Sequence, residues 1–249
     1  MDKLFWLMPL IFAVAFLSVV SGGVGLLSRP ILILFGFPPT IALGTFRVAN
    51  LFSRIAGAVS IIEQQGAKNV DWMLALRLFV PSLIGGVIGA EIVSVIDASM
   101  LKKTLGVVTL VLGGIFLLNR NLGIVAMHHQ MTLSKQIIGF FATLLIGVIA
   151  AFVGGSGILF AYLLIFNYDK SFLSSAPVRK LANFGSALSS SILFLWHGYV
   201  DWRLMLALMI SDGLGEYLGG RFQMKHDAKW IRRITLVTVS ACGIAMFFF

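Results

Sequence analysis

Apolar runs long enough to cross a bilayer recur along the whole of this chain, and few folds accommodate them. Eight segments can be drawn, at about 4–36, 40–62, 72–96, 101–118, 134–166, 172–195, 202–223 and 230–249. A helix needs ~20 such residues to span the hydrocarbon. No water is available there to pair an exposed peptide group, so a run of this length satisfies its backbone internally, as an α-helix. Composition agrees: 59% of the 249 residues are hydrophobic and 12% charged, against ~25% charged in soluble domains. The expectation is an all-α polytopic membrane protein of about eight transmembrane helices. The opening MDKLFWLMPLIFAVAFLSVV reads as a first helix, because its apolar part exceeds the ~7–15 residues of a signal-peptide core.

Two segments, 4–36 and 134–166, are too long for one straight crossing, and each is interrupted by glycine. Gly22, Gly23 and Gly25 break the first; Gly154, Gly155 and Gly157 break the second, with Ser156 between them. Glycines at membrane depth open a helix and free backbone N–H groups. At the start of a following half-helix such groups form an anion-binding concavity. Close packing alone is the simpler use of these glycines. Their paired recurrence beside cations favours a site built from two halves.

The recurrence is part of a longer duplication. The glycine triplets lie 132 residues apart, as do Arg47 and Arg179. After a two-residue deletion the offset becomes 130, and Val70-Asp71-Trp72 falls on Val200-Asp201-Trp202, Gly85 and Gly89 on Gly215 and Gly219, and Lys102-Lys103 on Arg232-Arg233. The chain therefore divides into a first membrane repeat, 1–120, a connecting loop, 121–134, and a second repeat, 135–249. In each copy the Gly-x-x-x-Gly pair suits close helix packing, and the Asp-Trp pair suits a helix N-cap at the membrane interface. The positive-charge tally places twelve of the nineteen cations on one side, Arg29, Arg47, Lys102-Lys103, Arg179 and Arg232-Arg233 among them. That favours parallel repeats. If each broken segment turns back instead, the repeats are inverted.

The charged and polar residues inside the apolar segments are the candidate site. Arg47 and Asn50 stand three apart on one helical face, just after Thr45; Arg179 and Asn183 form the second-copy equivalent, with Lys180 beside them. A guanidinium offers a planar fork to sulfonate, sulfite, carboxylate or phosphate oxygens, although an arginine near a helix end also snorkels to headgroups. Asp212 and Glu216 lie four apart on one face, an arrangement for proton coupling or for structural ion pairs. The substrate-binding expectation is Gly22, Gly23, Gly25, Thr45, Arg47, Asn50, Gly154, Gly155, Ser156, Gly157, Arg179 and Asn183. His128 and His129, in the link, read as solvated loop residues, and the single Cys242 excludes an internal disulfide. No metal or cofactor is expected, and the net charge of +9 has no soluble basic module through which to bind nucleic acid.

The doubled glycine break followed by Pro30, the Ala42-Leu43-Gly44-Thr45 stretch with Arg47 and Asn50, and the Gly198-Tyr199-Val200-Asp201-Trp202 opening of the seventh segment together resemble the TauE/SafE sulfite exporter family over nearly the whole chain. The resemblance implies an eight-helix, duplicated permease in a bacterial inner membrane, moving sulfite or organosulfonate-type anions. It implies a transporter and not an enzyme, with the lipid bilayer and a small anion as partners and a homo-oligomer left open. An intramembrane enzyme and a non-transporting subunit are the alternatives. The chain has neither a His-Glu-x-x-His motif nor an ATP-binding loop, so transport would be secondary or channel-like.

Overall fold

The computed structural model describes residues 2–21, 24–97, 99–100, 132–152, 156–172 and 174–225. Outside them lie Gly22, Gly23, Gly154, Gly155, His128-His129, Lys102-Lys103, Arg232-Arg233, Cys242 and the segments expected at 101–118 and 230–249. The described residues form eight helices and no strand. These are α1 (Asp2–Ser21), α2 (Ser28–Leu34), α3 (Pro39–Gln65), α4 (Trp72–Val95), α5 (Leu133–Phe152), α6 (Gly157–Tyr168), α7 (Ala176–Trp196) and α8 (Trp202–Lys225). They account for six of the eight expected segments, because each glycine-broken segment supplies two helices.

Local chemistry sets the ends. Asp71 Oδ1 accepts the Leu74 N–H at 3.1 Å and Asp201 Oδ1 accepts the Leu204 N–H at 3.0 Å, so both Asp-Trp pairs cap a helix start as expected. Proline at the first position opens α3, and Gly66, at φ +84°, ends it. Trp72 and Trp202 stay exposed beside their caps. Three stretches, Lys3–Val20, Trp72–Val95 and Leu133–Phe152, are long and apolar enough to cross a membrane by composition alone. The helices α3, α7 and α8 have comparable length, 27, 21 and 24 residues, but carry the buried polar residues described below.

At both glycine breaks the chain turns back. The α2 end returns to the start of α1, where a Cβ on Gly36 would lie 3.4 Å from Lys3 Nζ. Likewise the end of α6 returns to the start of α5: Lys135 Nζ pairs with Asp169 at 2.8 Å, and Asn167 Nδ2 donates to the Lys135 carbonyl at 2.7 Å. Each long segment is thus a helix plus a re-entrant half-helix.

That reversal decides the relation of the copies. Helix α3 runs parallel to α8, with Thr45 beside Asp201, Asn50 beside Asp212 and Ser60 beside Gly220. Against α7 it runs antiparallel, with Arg47 beside Ser190 and Gly57 beside Lys180. Helix α4 runs parallel to α7 and α5. The first copy therefore starts at the end of the bundle opposite to the start of the second, and the repeats are inverted. The charge tally that favoured parallel repeats fails for a physical reason: Arg29, Arg47, Arg179 and Lys180 are buried inside the bundle and report nothing about sidedness.

The packing is reciprocal. Gly85 on α4 faces Leu144, Gly147 and Val148 of α5, and Gly215 on α8 faces Phe12, Ala15 and Phe16 of α1, the residues 132 positions earlier. Gly89 meets Val148 and Ala151 as Gly219 meets Phe16. Both Gly-x-x-x-Gly pairs bring backbones into contact, where any side chain would hold them apart. The helices α3 and α7 cross at the centre of the bundle; α3 lies also along α8, and α7 along α4, each a helix of the other copy.

Candidate functional site

The bundle interior carries more charge than hydrocarbon tolerates. Arg29, Arg47, Arg54, Arg179 and Lys180 are all buried, and so are two carboxylates, Asp212 and Glu216. Five cations against two anions leave a formal excess of three positive charges among the buried described residues. A buried charge costs several kcal/mol unless it is paired, so this excess needs a partner of opposite sign.

Most of these charges surround two adjoining small cavities, of about 40 and 30 Å³. Ser18, Arg54 and Glu216 line both. The first also touches Gly157, Arg179, Lys180 and Asn183; the second touches Gly25, Ser28, Asn50 and Asp212. One glycine from each break therefore reaches this polar space, Gly157 at the first cavity and Gly25 at the second. Volumes of this size suit a ligand of a few atoms, since drug-sized molecules need ~300 Å³ or more. At Gly157 the α6 N-terminus opens onto the first cavity, and the first-turn N–H groups of a helix lack intrahelical acceptors. Asn183 Nδ2 donates to Ser156 Oγ at 2.9 Å, tying the second break to α7.

Two polar chains cross the cavities. Arg54 Nε donates to Asn50 Oδ1 at 2.6 Å, and Asn50 Nδ2 donates to Asp212 Oδ2 at 2.8 Å. Lys180 Nζ makes an ion pair with Glu216 Oε2. Among the described residues Arg179 has no such carboxylate: its guanidinium lies over the Phe172 ring, 4.4 Å from the centroid, and Nη1 makes no hydrogen bond. Arg29 is similar, over Phe46 at 5.8 Å, with Nε and Nη1 lacking hydrogen-bond partners there.

Arg47 and Thr45 lie off the cavities. Arg47 is fully buried, so it does not snorkel, but its Nε and Nη2 donate to Ser190 Oγ at 2.7 Å and Ser186 Oγ at 2.6 Å. Its Nη1 is left without a hydrogen bond among the described residues. Thr45 Oγ1 accepts the Asp201 N–H at 2.9 Å, and Gly44 lies against Tyr199. The two motifs thus lock α3 onto the start of α8.

Arg54 is the residue that sequence reasoning missed. A signal was present: Arg47, Asn50 and Arg54 are spaced i, i+3 and i+7, one stripe of a helix. The duplication also marks where the halves diverge. Lys180 falls on Val48, Arg54 on Ser186, Asp212 on Ser82 and Glu216 on Gly86. In one half Gly86 packs against Ser186 and Ser189, and Ser82 Oγ accepts the Ser186 N–H at 3.2 Å. In the other, Glu216 and Lys180 crowd Gly57, which stands where the first arrangement has Ser189. The same packing is lined by hydroxyls on one side and by charges on the other.

The family model described as sulfite exporter TauE/SafE matches residues 7–246. The chain belongs to the TauE/SafE family. Among curated relatives, a probable membrane transporter protein of Haemophilus influenzae is 28% identical, over 91% of this chain and 87% of the relative. Probable membrane transporter protein ORF9 of Sinorhizobium is 26% identical over 98% and 94%, and YfcA of Escherichia coli, a probable membrane transporter protein, is 24% identical over 96% and 90%. No solved structure matches. Membership makes this TauE/SafE chain an integral membrane transporter and not an enzyme.

Proposed function

We propose that the transported species is a small anion of the sulfite or organosulfonate type, carried by a secondary mechanism across a bacterial inner membrane. The observation that carries this reading is the excess of positive charge around cavities reached by both glycine breaks, where Arg54, Arg179 and Lys180 outnumber Asp212 and Glu216 and two further arginines, Arg29 and Arg47, are buried in the same bundle. An anion there neutralises charge that the described residues leave unpaired. Arg179 and Arg54 offer it guanidinium N–H groups, Lys180 an ammonium, and the α6 start peptide N–H groups. A planar fork suits the oxygens of a sulfur oxyanion. Arg29 and Arg47 add positive field from outside contact distance, which in a low-dielectric interior acts over longer range than in water.

The test is flux into liposomes containing the purified protein, with sulfite, methanesulfonate, sulfate, acetate, chloride and, as a cation, choline. Sulfur oxyanions should move and choline should not, and Arg54→Met or Arg179→Met should stop the flux in a protein that still folds. Choline flux, or anion flux unaffected by both substitutions, would overturn the assignment.

A further inference from the structure

We infer that Glu216 occupies the anion site when no substrate is bound, and that its protonation makes room for the substrate, so that one proton and one anion are bound together. The inference rests on the anion site proposed above and adds what controls it. Glu216 borders both cavities, and its carboxylate is paired with Lys180, one of the cations offered to the anion. Gly57 lies against both side chains, where any larger residue on α3 would push them apart.

The groups facing Glu216 come from four helices. Arg54 and Asn50 approach from α3, Lys180 and Arg179 from α7, Asp212 from the preceding turn of α8, and Ser18 from the end of α1. With both carboxylates ionised, Arg54, Arg179 and Lys180 against Asp212 and Glu216 leave one positive charge. A proton from solution added at Glu216 raises that to two and releases the Lys180 N–H groups. A monovalent anion then takes the vacated acceptor position and restores the original charge. Binding either ion alone changes the charge of a buried space; binding both does not, and linkage makes the effect reciprocal. Glu216 is distinguished from Asp212 by its partner. Asp212 accepts from the neutral Asn50 amide, so its departure would free no cation.

The experiment is calorimetric titration of the full-length protein in detergent with methanesulfonate, whose own charge does not vary with pH. Two buffers of different ionisation enthalpy report the protons taken up. The wild type should take up close to one proton per anion over the pH range where its anion affinity falls as pH rises, about tenfold per unit. Glu216→Gln should bind the anion with no proton uptake and no pH slope. Asp212→Asn should keep the wild-type uptake. Should Glu216→Gln fail to fold because Lys180 is left unpaired, Glu216→Gln with Lys180→Met removes both charges and should likewise show no uptake. Anion binding without proton uptake in the wild type would overturn the coupling and leave the anion site standing. No binding at any pH would overturn both, and uptake retained in Glu216→Gln would move the proton elsewhere.

Discussion

Replacing Arg179 by methionine should make the substrate-free protein no less stable while weakening anion binding, a combination that a structural arginine cannot produce. The guanidinium lies over Phe172 at 4.4 Å and has no carboxylate partner among the described residues, and its Nη1 makes no hydrogen bond there. Losing the ring contact costs ~0.5–2 kcal/mol. Removing a buried, unneutralised charge returns several kcal/mol, and methionine fills much of the volume with an adaptable apolar chain. The balance favours an unchanged or higher midpoint in thermal unfolding without anion. For the bound state the sign reverses, because one charge-assisted hydrogen bond is worth ~1.5–3 kcal/mol, or about ten- to a hundredfold in affinity. The stabilisation conferred by added anion should shrink accordingly. Arg179→Lys keeps the charge and loses the fork, so it should bind with intermediate affinity. Thermal unfolding with and without methanesulfonate, alongside calorimetric affinity, separates the two effects. A midpoint lowered by several degrees with affinity unchanged would show that Arg179 holds the bundle together instead.

Three further outcomes follow from the geometry. Cysteines at Lys68 and His197, exposed residues ahead of the matched α4 and α8 caps, should label from opposite membrane faces in a Cys242→Ser background; labelling from one face would refute the inverted repeats. Gly215→Ala places a Cβ 2.6 Å from the Phe12 carbonyl and 2.8 Å from Ala15 Cβ and should cost about 1–3 kcal/mol, whereas Gly213→Ala, whose nearest neighbour is Ser53 Oγ at 3.9 Å, should be neutral or stabilise by up to ~1 kcal/mol; equal midpoints for the two variants would refute the packing account. Partial burial works against the Asp71 carboxylate, but hydrogen bonds from Lys170 and the Leu74 N–H outweigh it and hold the group below its ordinary range; its stabilisation is therefore present above that range and lost as pH falls through the lowered value, so wild type and Asp71→Ala, separated by ~1 kcal/mol at neutral pH, should converge in acid, and a constant gap would contradict the sign.

Much of this architecture is legible in the residues, and the parts that are not have a common cause. The matched caps at Asp71 and Asp201 and the reciprocal faces of Gly85 and Gly215 follow from spacing alone, because capping and close approach are local demands. Gly25, Asn50, Gly157, Arg179 and Asn183 come together around the cavities, whereas Arg47 and Thr45 turn away to Ser190 and Asp201. Nothing in a helical stripe distinguishes those fates. A stripe says which face is inward, and the partner across the interface decides whether a guanidinium meets a cavity or a serine. Direction is equally hidden: an apolar helix reads the same whichever way it crosses, and only the reversal at the breaks tells inverted copies from parallel ones. Arg54 has no charged counterpart, Ser186 standing at its place in the second copy, and only the stripe it shares with Arg47 and Asn50 marks it.

The exchange of fourth helices has a consequence for how the protein is made. Among the described helices α4 packs along α5 and α7, not along α1 or α3, and Ser82 meets Ser186 across 104 residues of sequence. At ~5–20 residues per second of synthesis, α4 waits roughly 5–20 s in the membrane before that partner exists. Through that interval its glycine face lies against lipid, open to the α5 of any neighbouring nascent chain. Assembly within one chain wins because the later helices are tethered and arrive at high effective concentration. Two chains translated side by side would have a geometrically equivalent alternative, each completing the other.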